Sequence, residues 1–175
     1  MMNACTDQEA RNAILEIGRR MFARQYVAAN DGNISVRTAP DRIWVTPTGV
    51  SKGYMTEDML LCVDLEGRVL EGTVAPYATP GSQEEPESIA PFCRTHNAVL
   101  LANHGALTWG RSAMEAYYRM ESLEGSAVIL MNLGYLNRPG CLLKRCEVEA
   151  LLEAREKAGI TAGGVPRCAE DCGQA

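Results

Sequence analysis

The stretch from Asn30 to Gly53 constrains the fold more than any other part of this chain. It reads NDGNISVRTAPDRIWVTPTGVSKG and holds two small polar turns, one at Gly32-Asn33 and one at Thr48-Gly49. Between the turns lie two short runs rich in β-branched and aromatic residues, Ile34 to Val36 and Ile43 to Thr46. Turn-forming residues separate the runs, so the pattern predicts a β-hairpin that holds the two polar turns side by side.

The two turns have the chemistry of an anion site. Glycine lets backbone N–H groups approach an anion closely, Asn33 donates through its amide, and Thr48 adds a hydroxyl. Lys52 either adds positive charge nearby or is merely solvated. The alternative is that both segments are ordinary tight turns, in which such residue pairs are common. The second turn beside the first favours an anion site.

The segments around this stretch predict a mixed α/β chain. Thr6 and Glu9 form a capping box ahead of a helix that runs to about Val27. One of its faces is apolar, with Ile14, Ile17, Met21 and Phe22 recurring near helical spacing. A one-turn helix is expected at residues 56–58. Residues 60–64 then pair with residues 68–70 across a tight turn, so this sheet is expected to be antiparallel.

The second half of the chain is more helical. A short helix follows Ser82, with Pro86 in its first turn. Residues 98–102, AVLLA, predict a central strand with His104 at its end. Ser112 caps the longest helix, which Gly134 ends and whose apolar face should cover the sheet. A last helix is expected over residues 146–157, after which the tail is loose.

Composition excludes several classes of function. The chain has 175 residues, enough for one domain over residues 1–160, followed by a loose tail over 161–175. Its net charge of −5, with no basic run, argues against nucleic-acid binding. No apolar run is long enough for a membrane span. The seven cysteines are irregularly spaced, which is typical of reduced thiols, and we expect a cytoplasmic protein.

Candidate metal ligands are few. His104 lies at a strand end, where a site is favoured over a core position. His96 is expected on the surface, and Cys168 and Cys172 form a C-x3-C pair in the tail without partner ligands. A catalytic zinc takes three protein ligands and leaves one position open, and the residues alone do not supply that set.

Taken together, the motifs resemble those of the class II aldolase/adducin family. The matching pieces recur in the family's order: GNISVR at 32–37, VTPTGVSKG at 45–53, VDLEGRVLEG at 63–72, APYATPGSQE at 75–84 and LLANHGAL at 100–107. The resemblance covers nearly the whole chain apart from the tail. It implies a three-layer α/β/α fold around a central, largely antiparallel mixed sheet.

The resemblance also implies a function. It assigns Gly32, Asn33, Thr48 and Gly49 to the phosphate of a small phosphorylated sugar, and His104 to a catalytic Zn²⁺. The implied reaction is zinc-dependent lyase cleavage of a phosphorylated ketose, such as L-fuculose 1-phosphate, to dihydroxyacetone phosphate and an aldehyde. A ribulose-phosphate 4-epimerase-like activity and a non-catalytic adducin-like assembly domain are the alternatives. Family members commonly form homotetramers.

One departure from the family is large. Between Thr73 and Val74 the family carries a segment with a Ser-Ser-Glu motif and a His-x-His motif, which supply phosphate contacts, the acid/base Glu and further zinc ligands. This sequence has none of it, so the catalytic acid/base residue is unknown. Either the native polypeptide carries the segment, or it is deleted and the protein is not an active aldolase. We favour the first, because loss of central strands leaves backbone groups and apolar surface without partners.

Overall fold

The computed structural model describes residues 5–72, 84–138, 140 and 143–160. The chain divides into two compact units. The first contains residues 1–81 and 110–117, and the second contains residues 82–109 and 118–175. The join at Thr73-Val74 and the tail after residue 160 lie outside the described residues.

The first unit begins with helix α1, Asp7–Ala23. Thr6 caps it through the predicted capping box: the backbone N–H of Glu9 donates to Thr6 Oγ1 at 3.2 Å, and that of Thr6 donates to Glu9 Oε2 at 2.8 Å. The prediction that the helix extends to Val27 is wrong. Gln25 adopts a left-handed backbone with φ 59°, and the backbone N–H of Tyr26 turns back to the carbonyl of Met21 at 2.9 Å, which closes the helix end.

Four antiparallel strands follow: β1 Ser35–Ala39, β2 Arg42–Val45, β3 Leu61–Val63 and β4 Val69–Glu71. They pair in chain order, which confirms both predicted hairpins. The first loop is shorter than predicted, because Thr38 and Ala39 continue β1. A 3-10 turn at Glu57–Met59 lies where the one-turn helix was expected.

The hydrophobic core belongs to the first unit. Trp44 lies opposite Val36 on β1 and Cys62 on β3, so one row of side chains crosses three strands. The apolar face of α1 joins this row, as predicted for Ile14, Ile17 and Met21. The buried apolar residues of this core are Ala10, Ile14, Ile17, Met21, Ile34, Trp44, Met55, Leu60, Cys62 and Tyr117.

The second unit contains α2 Glu84–Ile89, β5 Ala98–Leu101, β6 Gly105–Thr108 and α4 Arg145–Lys157. It also holds most of α3, Ala113–Tyr135, whose first residues belong to the first unit. Ser112 caps α3 as predicted, since its Oγ accepts the backbone N–H of Glu115 at 3.1 Å. The helix passes through Gly134 rather than ending there. It closes at Asn137, whose φ is 52°.

Of two predictions for this part of the chain, one is wrong and one holds only in part. Among the described strands, β5 pairs only with β6, so it is not central, and its Leu100 is 72% exposed. The first turns of α3 pack on the sheet as predicted, with Tyr117 in the core of the first unit, whereas its later residues Val128, Ile129, Leu130 and Met131 are all exposed. Within the described part of this unit, Val148 is the one buried apolar residue. The second unit therefore has secondary structure with almost no core.

Among the described cysteines, Cys5, Cys62, Cys93 and Cys146 are free thiols. None of the described helices combines the length and the apolar composition that a membrane crossing needs. Every described strand pair is antiparallel.

Candidate functional site

The two predicted turns lie in the first unit, at the open end of the β1–β2 hairpin: one precedes β1 and the other follows β2. Gly32 and Gly49 both have a φ of +78°, in the left-handed region that favours glycine. Their surroundings differ. A Cβ at Gly32 would lie 2.6 Å from Cγ1 of Val27, whereas a Cβ at Gly49 would have no atom within 4 Å. Gly32 is thus required by backbone shape and by packing, and Gly49 by backbone shape alone.

Hydrogen bonds at the strand ends join the two turns. The backbone N–H of Thr46 donates to the carbonyl oxygen of Ile34 at 3.1 Å, and the backbone N–H of Ile34 donates to Thr46 Oγ1 at 3.2 Å. Both residues are buried. Ile34 follows the first turn directly and Thr46 shortly precedes the second, so this reciprocal pair fixes where each turn leaves the sheet.

Lys52 makes a second link between the turns. Its side chain is buried, with the residue 1% exposed, and its Nζ donates to the carbonyl oxygens of Asn30 at 2.9 Å and Val50 at 2.8 Å. Burial lowers the pKa of Lys52 from its ordinary value, and the charge of Asp31 opposes that shift. Of the two possibilities for this lysine, simple solvation is therefore wrong.

Helix α1 packs against the loop that follows the second turn. A Cβ at Gly18 would lie 2.5 Å from the carbonyl oxygen of Lys52, so the helix and the loop approach closely at this point. Gly53 packs in the same way, with a Cβ position 2.6 Å from Cγ of Phe22. Phe22 also contacts Tyr54 edge to face, at 5.2 Å between ring centroids. The loop after Gly49 is therefore held against the helix.

The candidate ligands themselves face solvent. Asn33, Thr48 and Gly49 are exposed and Gly32 is half-buried, whereas the groups that hold the turns together are buried. The structure thus brings the four predicted phosphate-site residues onto two linked turns. Exposed amide, hydroxyl and backbone N–H donors on two turns that a buried ammonium group links are suited to binding an oxyanion.

His104 lies in the second unit, in the turn that joins β5 to β6. It is exposed, so it is not a core histidine, and its backbone N–H donates to the carbonyl oxygen of Leu101 at 3.1 Å. His96 is exposed as predicted, and its Nδ1 lies 2.9 Å from Thr95 Oγ1. Cys168 and Cys172 lie outside the described residues.

The described residues do not fit a catalytic zinc. In the part of the chain that the structure describes, no three His, Cys, Asp or Glu side chains come together as a metal-binding group. A zinc enzyme normally supplies three protein ligands, and a single imidazole does not hold the metal. His104 therefore has no assembled set of co-ligands within these ranges.

Comparison with known families shows to which family the chain belongs. The model of the class II aldolase and adducin N-terminal domain matches residues 12–75 and 71–131. The chain belongs to this family. The matched ranges cover the two turns and His104, so the motif resemblance is confirmed over more than half of the chain.

Curated relatives of this class II aldolase-family chain carry the names of lyases. A 3-oxo-tetronate 4-phosphate decarboxylase of Haemophilus influenzae is 25% identical over 188 residues, covering 73% of this chain and 90% of the relative. An L-fuculose phosphate aldolase of Methanocaldococcus jannaschii is 24% identical, covering 70% of this chain and 97% of the relative. Among solved structures, YgbL of Klebsiella pneumoniae has a TM-score of 0.74 at 24% identity, covering 83% of this chain and 99% of that structure, a likeness in fold.

The alignments with the curated relatives contain more positions than the number of residues of this chain that they cover. The comparison with the Haemophilus relative has 188 positions but takes in 73% of 175 residues, about 128. About 60 positions therefore have no counterpart in this class II aldolase-family chain. The two family-model matches also overlap at residues 71–75, a stretch that contains Thr73-Val74.

Sequence reasoning does not find how the supporting residues act. It predicts Thr46 as the end of a strand, whereas its buried hydroxyl accepts a hydrogen bond from across the hairpin. For Lys52 it leaves open added positive charge or solvation, and it gives no sign that the side chain is buried. A β-branched hydroxyl residue before Pro47 was the available signal for Thr46. No periodic pattern signals a buried lysine in a loop.

Proposed function

We propose that this chain binds the phosphate of a small phosphorylated sugar or sugar acid at Gly32, Asn33, Thr48 and Gly49. The observation that carries the proposal is the linkage of the two turns at one end of the hairpin, through the hydrogen bonds between Ile34 and Thr46 and through Lys52. A phosphate group accepts several hydrogen bonds at once, and charge-assisted bonds to oxyanions are stronger than neutral ones. Both named relatives have phosphorylated compounds in their names, which supports this class of ligand.

The reaction proposed for the active polypeptide is lyase-type cleavage of a carbon–carbon bond in that compound. The specific form is a zinc-dependent aldolase that splits a phosphorylated ketose, such as L-fuculose 1-phosphate, into dihydroxyacetone phosphate and an aldehyde. Aldolases and decarboxylases are both lyases that break such a bond. Identities of about 25% support the class and leave decarboxylation or a 4-epimerase-like reaction as alternatives.

This activity requires residues that the chain does not contain. We propose that the active polypeptide carries a further segment between Thr73 and Val74, where the family resemblance puts the co-ligands of His104 and the acid/base Glu. The nearly coreless second unit supports this, because added strands would cover Leu100 and the apolar part of α3. A single three-layer domain over residues 1–160, assembled as a cytoplasmic homotetramer, completes the proposal.

A second candidate is a non-catalytic, adducin-like assembly domain. The observation that favours it is the lack of a metal-binding group among the described residues. In this case the segment is truly deleted, and the phosphate turns persist without a reaction centre. Zinc content near zero in the freshly purified protein, with no cleavage of any ketose phosphate, supports this candidate over the lyase.

Direct titration tests the binding proposal. Dihydroxyacetone phosphate and inorganic phosphate are titrated against the 175-residue chain by calorimetry, with unphosphorylated dihydroxyacetone as the ligand control. We expect saturable binding of both phosphates and none of the control ligand. Asn33→Ala should weaken phosphate binding about tenfold, the cost of roughly one charge-assisted hydrogen bond. Asn12→Ala, at an exposed asparagine on α1, is the matched control. Equal affinities in the two variants would count against the site.

A separate experiment tests the division of roles in the active polypeptide. His104→Ala is expected to lower the zinc content of the polypeptide. Asn33→Ala is expected to weaken the binding of phosphate-bearing substrates and to leave the zinc content unchanged. Metal analysis of each purified variant gives the first readout and steady-state KM the second. Equal zinc loss in both variants would contradict separate roles.

A further inference from the structure

Lys52 has an arrangement that the need for a stable fold does not explain. It is the residue of largest volume among the most deeply buried side chains described. Removing an ammonium group from water is costly unless it is paired and hydrogen-bonded. No ion pair between Lys52 and a carboxylate occurs within the described ranges, and two neutral carbonyl oxygens are the acceptors found there. An apolar side chain of similar length would fill the same space without removing an ammonium group from water, but it would not link these two carbonyls.

The acceptors belong to the two turns. Asn30 begins the segment that leads into Gly32-Asn33, and Val50 follows Thr48-Gly49 directly. One ammonium group therefore holds the carbonyl of each turn segment within 2.9 Å of the same nitrogen. Thr46 and Ile34 already join the turns at the sheet, so Lys52 provides the second point of attachment. Two such points define the spacing of the turns, and one alone leaves a hinge.

An ammonium group also has three N–H donors, of which two are used by Asn30 and Val50. Its charge lies where the segments of the two turns meet, at the carbonyls of Asn30 and Val50, and the charge of Asp31 acts on it. A buried cation is screened less by salt than an exposed one. It therefore favours an anion bound at the turns.

We propose that Lys52 is a positioning residue for phosphate: it sets the spacing of the two turns and supplies positive charge to the anion bound between them. This inference rests on the proposed phosphate site. It assigns Lys52 no contact with the reacting atoms.

The test measures binding of inorganic phosphate to the full 175-residue chain, as wild type, Lys52→Met and Lys157→Met. Lys157 is an exposed lysine on α4 and is paired with Glu153. Its variant is the control, because both substitutions replace lysine with methionine and change the net charge equally. We expect Lys52→Met to bind phosphate at least tenfold more weakly than wild type, and Lys157→Met to stay within twofold. Circular dichroism establishes that each variant is folded.

A second readout needs no substitution. In ¹⁵N-lysine-labelled wild type, the Nζ signal of Lys52 is expected to shift with added phosphate and to saturate at the dissociation constant found by calorimetry. A lysine that stabilises the fold at a distance from the bound anion would not respond in this way. If Lys52→Met does not fold, this signal decides: a saturable shift supports the inference, and an unchanged signal overturns it.

The outcomes separate the two proposals. If wild type binds phosphate and folded Lys52→Met binds it within twofold as tightly, the role of Lys52 is refuted and the phosphate site stands. If wild type does not bind phosphate, both are refuted.

Discussion

The backbone N–H of Ile34 donates to the side-chain hydroxyl of Thr46 at 3.2 Å, twelve residues along the chain. The reverse bond, from the backbone N–H of Thr46 to the carbonyl oxygen of Ile34, is 3.1 Å long. Both residues are buried, so neither group has ready access to water. The pair closes the hairpin at the point where the two glycine turns leave it.

Thr46→Val should therefore destabilise the first unit. Valine has the shape of threonine but leaves the buried N–H of Ile34 without an acceptor, at a cost of about 1–3 kcal/mol. Urea denaturation followed by circular dichroism measures the change. Thr56→Val is the control, because Thr56 is exposed and its hydroxyl makes no capping bond to the 3-10 turn. A loss at Thr46 no larger than at Thr56 would show that the hydroxyl contributes little.

The two site glycines should differ in their response to alanine. Gly49→Ala meets only the left-handed backbone, with an expected cost of about 1–2 kcal/mol. Gly32→Ala also places a Cβ 2.6 Å from Val27 Cγ1, and such overpacking adds about 1–3 kcal/mol. Urea denaturation of both variants compares the two costs.

A double-mutant cycle with Val27→Ala separates packing from backbone strain. Removing the Val27 methyl groups should relieve Gly32→Ala, with a coupling energy of at least about 0.5 kcal/mol. The same change should add to Gly49→Ala without coupling. Additive energies in both cycles would mean that the backbone at Gly32 moves to accommodate the new Cβ.

Asp7 predicts a specific pH dependence of stability. Arg42 Nε donates to Asp7 Oδ2 at 2.8 Å and Thr38 Oγ1 donates to Asp7 Oδ1 at 2.7 Å, and these bonds hold the pKa of Asp7 well below its ordinary value. Their stabilisation is fully present above about pH 4, the ordinary pKa of aspartate. It is lost as the pH falls from there toward the lower pKa of the folded state.

Asp7→Asn should therefore lower the free energy of unfolding at pH 7. The difference in this free energy between wild type and variant should become smaller as the pH falls below about 4. Urea denaturation at a series of pH values measures both quantities. Asp58→Asn, at an exposed aspartate in the 3-10 turn, is the control and should show a smaller difference. A difference for Asp7→Asn that stays constant down to the lowest pH would contradict the assigned bonds.

Local signals predicted the first unit well, and the exceptions have physical causes. The capping box of Thr6 and Glu9 depends on neighbours in sequence, so it can be recognised without a structure. The early end of α1 at Gln25 could not, because glycine or asparagine is the usual residue at a left-handed helix end. The burial of Lys52 depends on the packing of Gly18 from α1 and on two carbonyls from separate turns, which no local pattern encodes.

The second unit shows the opposite case. The apolar run at residues 98–102 is typical of a central strand, and the apolar residues of α3 are typical of a buried helix. Both patterns indicate burial that the described structure does not provide. A sequence pattern reflects the environment for which the residues are suited, so the mismatch supports the proposal that further polypeptide covers these elements.

The unequal cores predict unequal effects of truncation. Ile14→Ala, in the core of the first unit, should cost about 2–5 kcal/mol. Leu130→Ala, at a residue 65% exposed on α3, should change stability by less than about 0.5 kcal/mol. Urea denaturation of the 175-residue chain measures both. A large loss at Leu130 would mean that α3 is covered, for example by a second copy of the chain.

Peptide mapping of the protein from its natural source tests the segment proposed between Thr73 and Val74. Trypsin cuts after Arg68 and Arg94, so a chain with this direct join yields one peptide of residues 69–94. We expect that peptide to be missing, peptides with new sequence to take its place, and the intact mass to exceed 19.0 kDa. The peptide of residues 43–52, which carries Thr48 and Gly49, should appear in either case and controls for recovery.

Recovery of peptide 69–94 at its calculated mass would establish a true deletion. The exposed apolar surface of the second unit would then belong to a protein that cannot assemble the family's metal site from its own chain, and the assembly-domain candidate would replace the lyase.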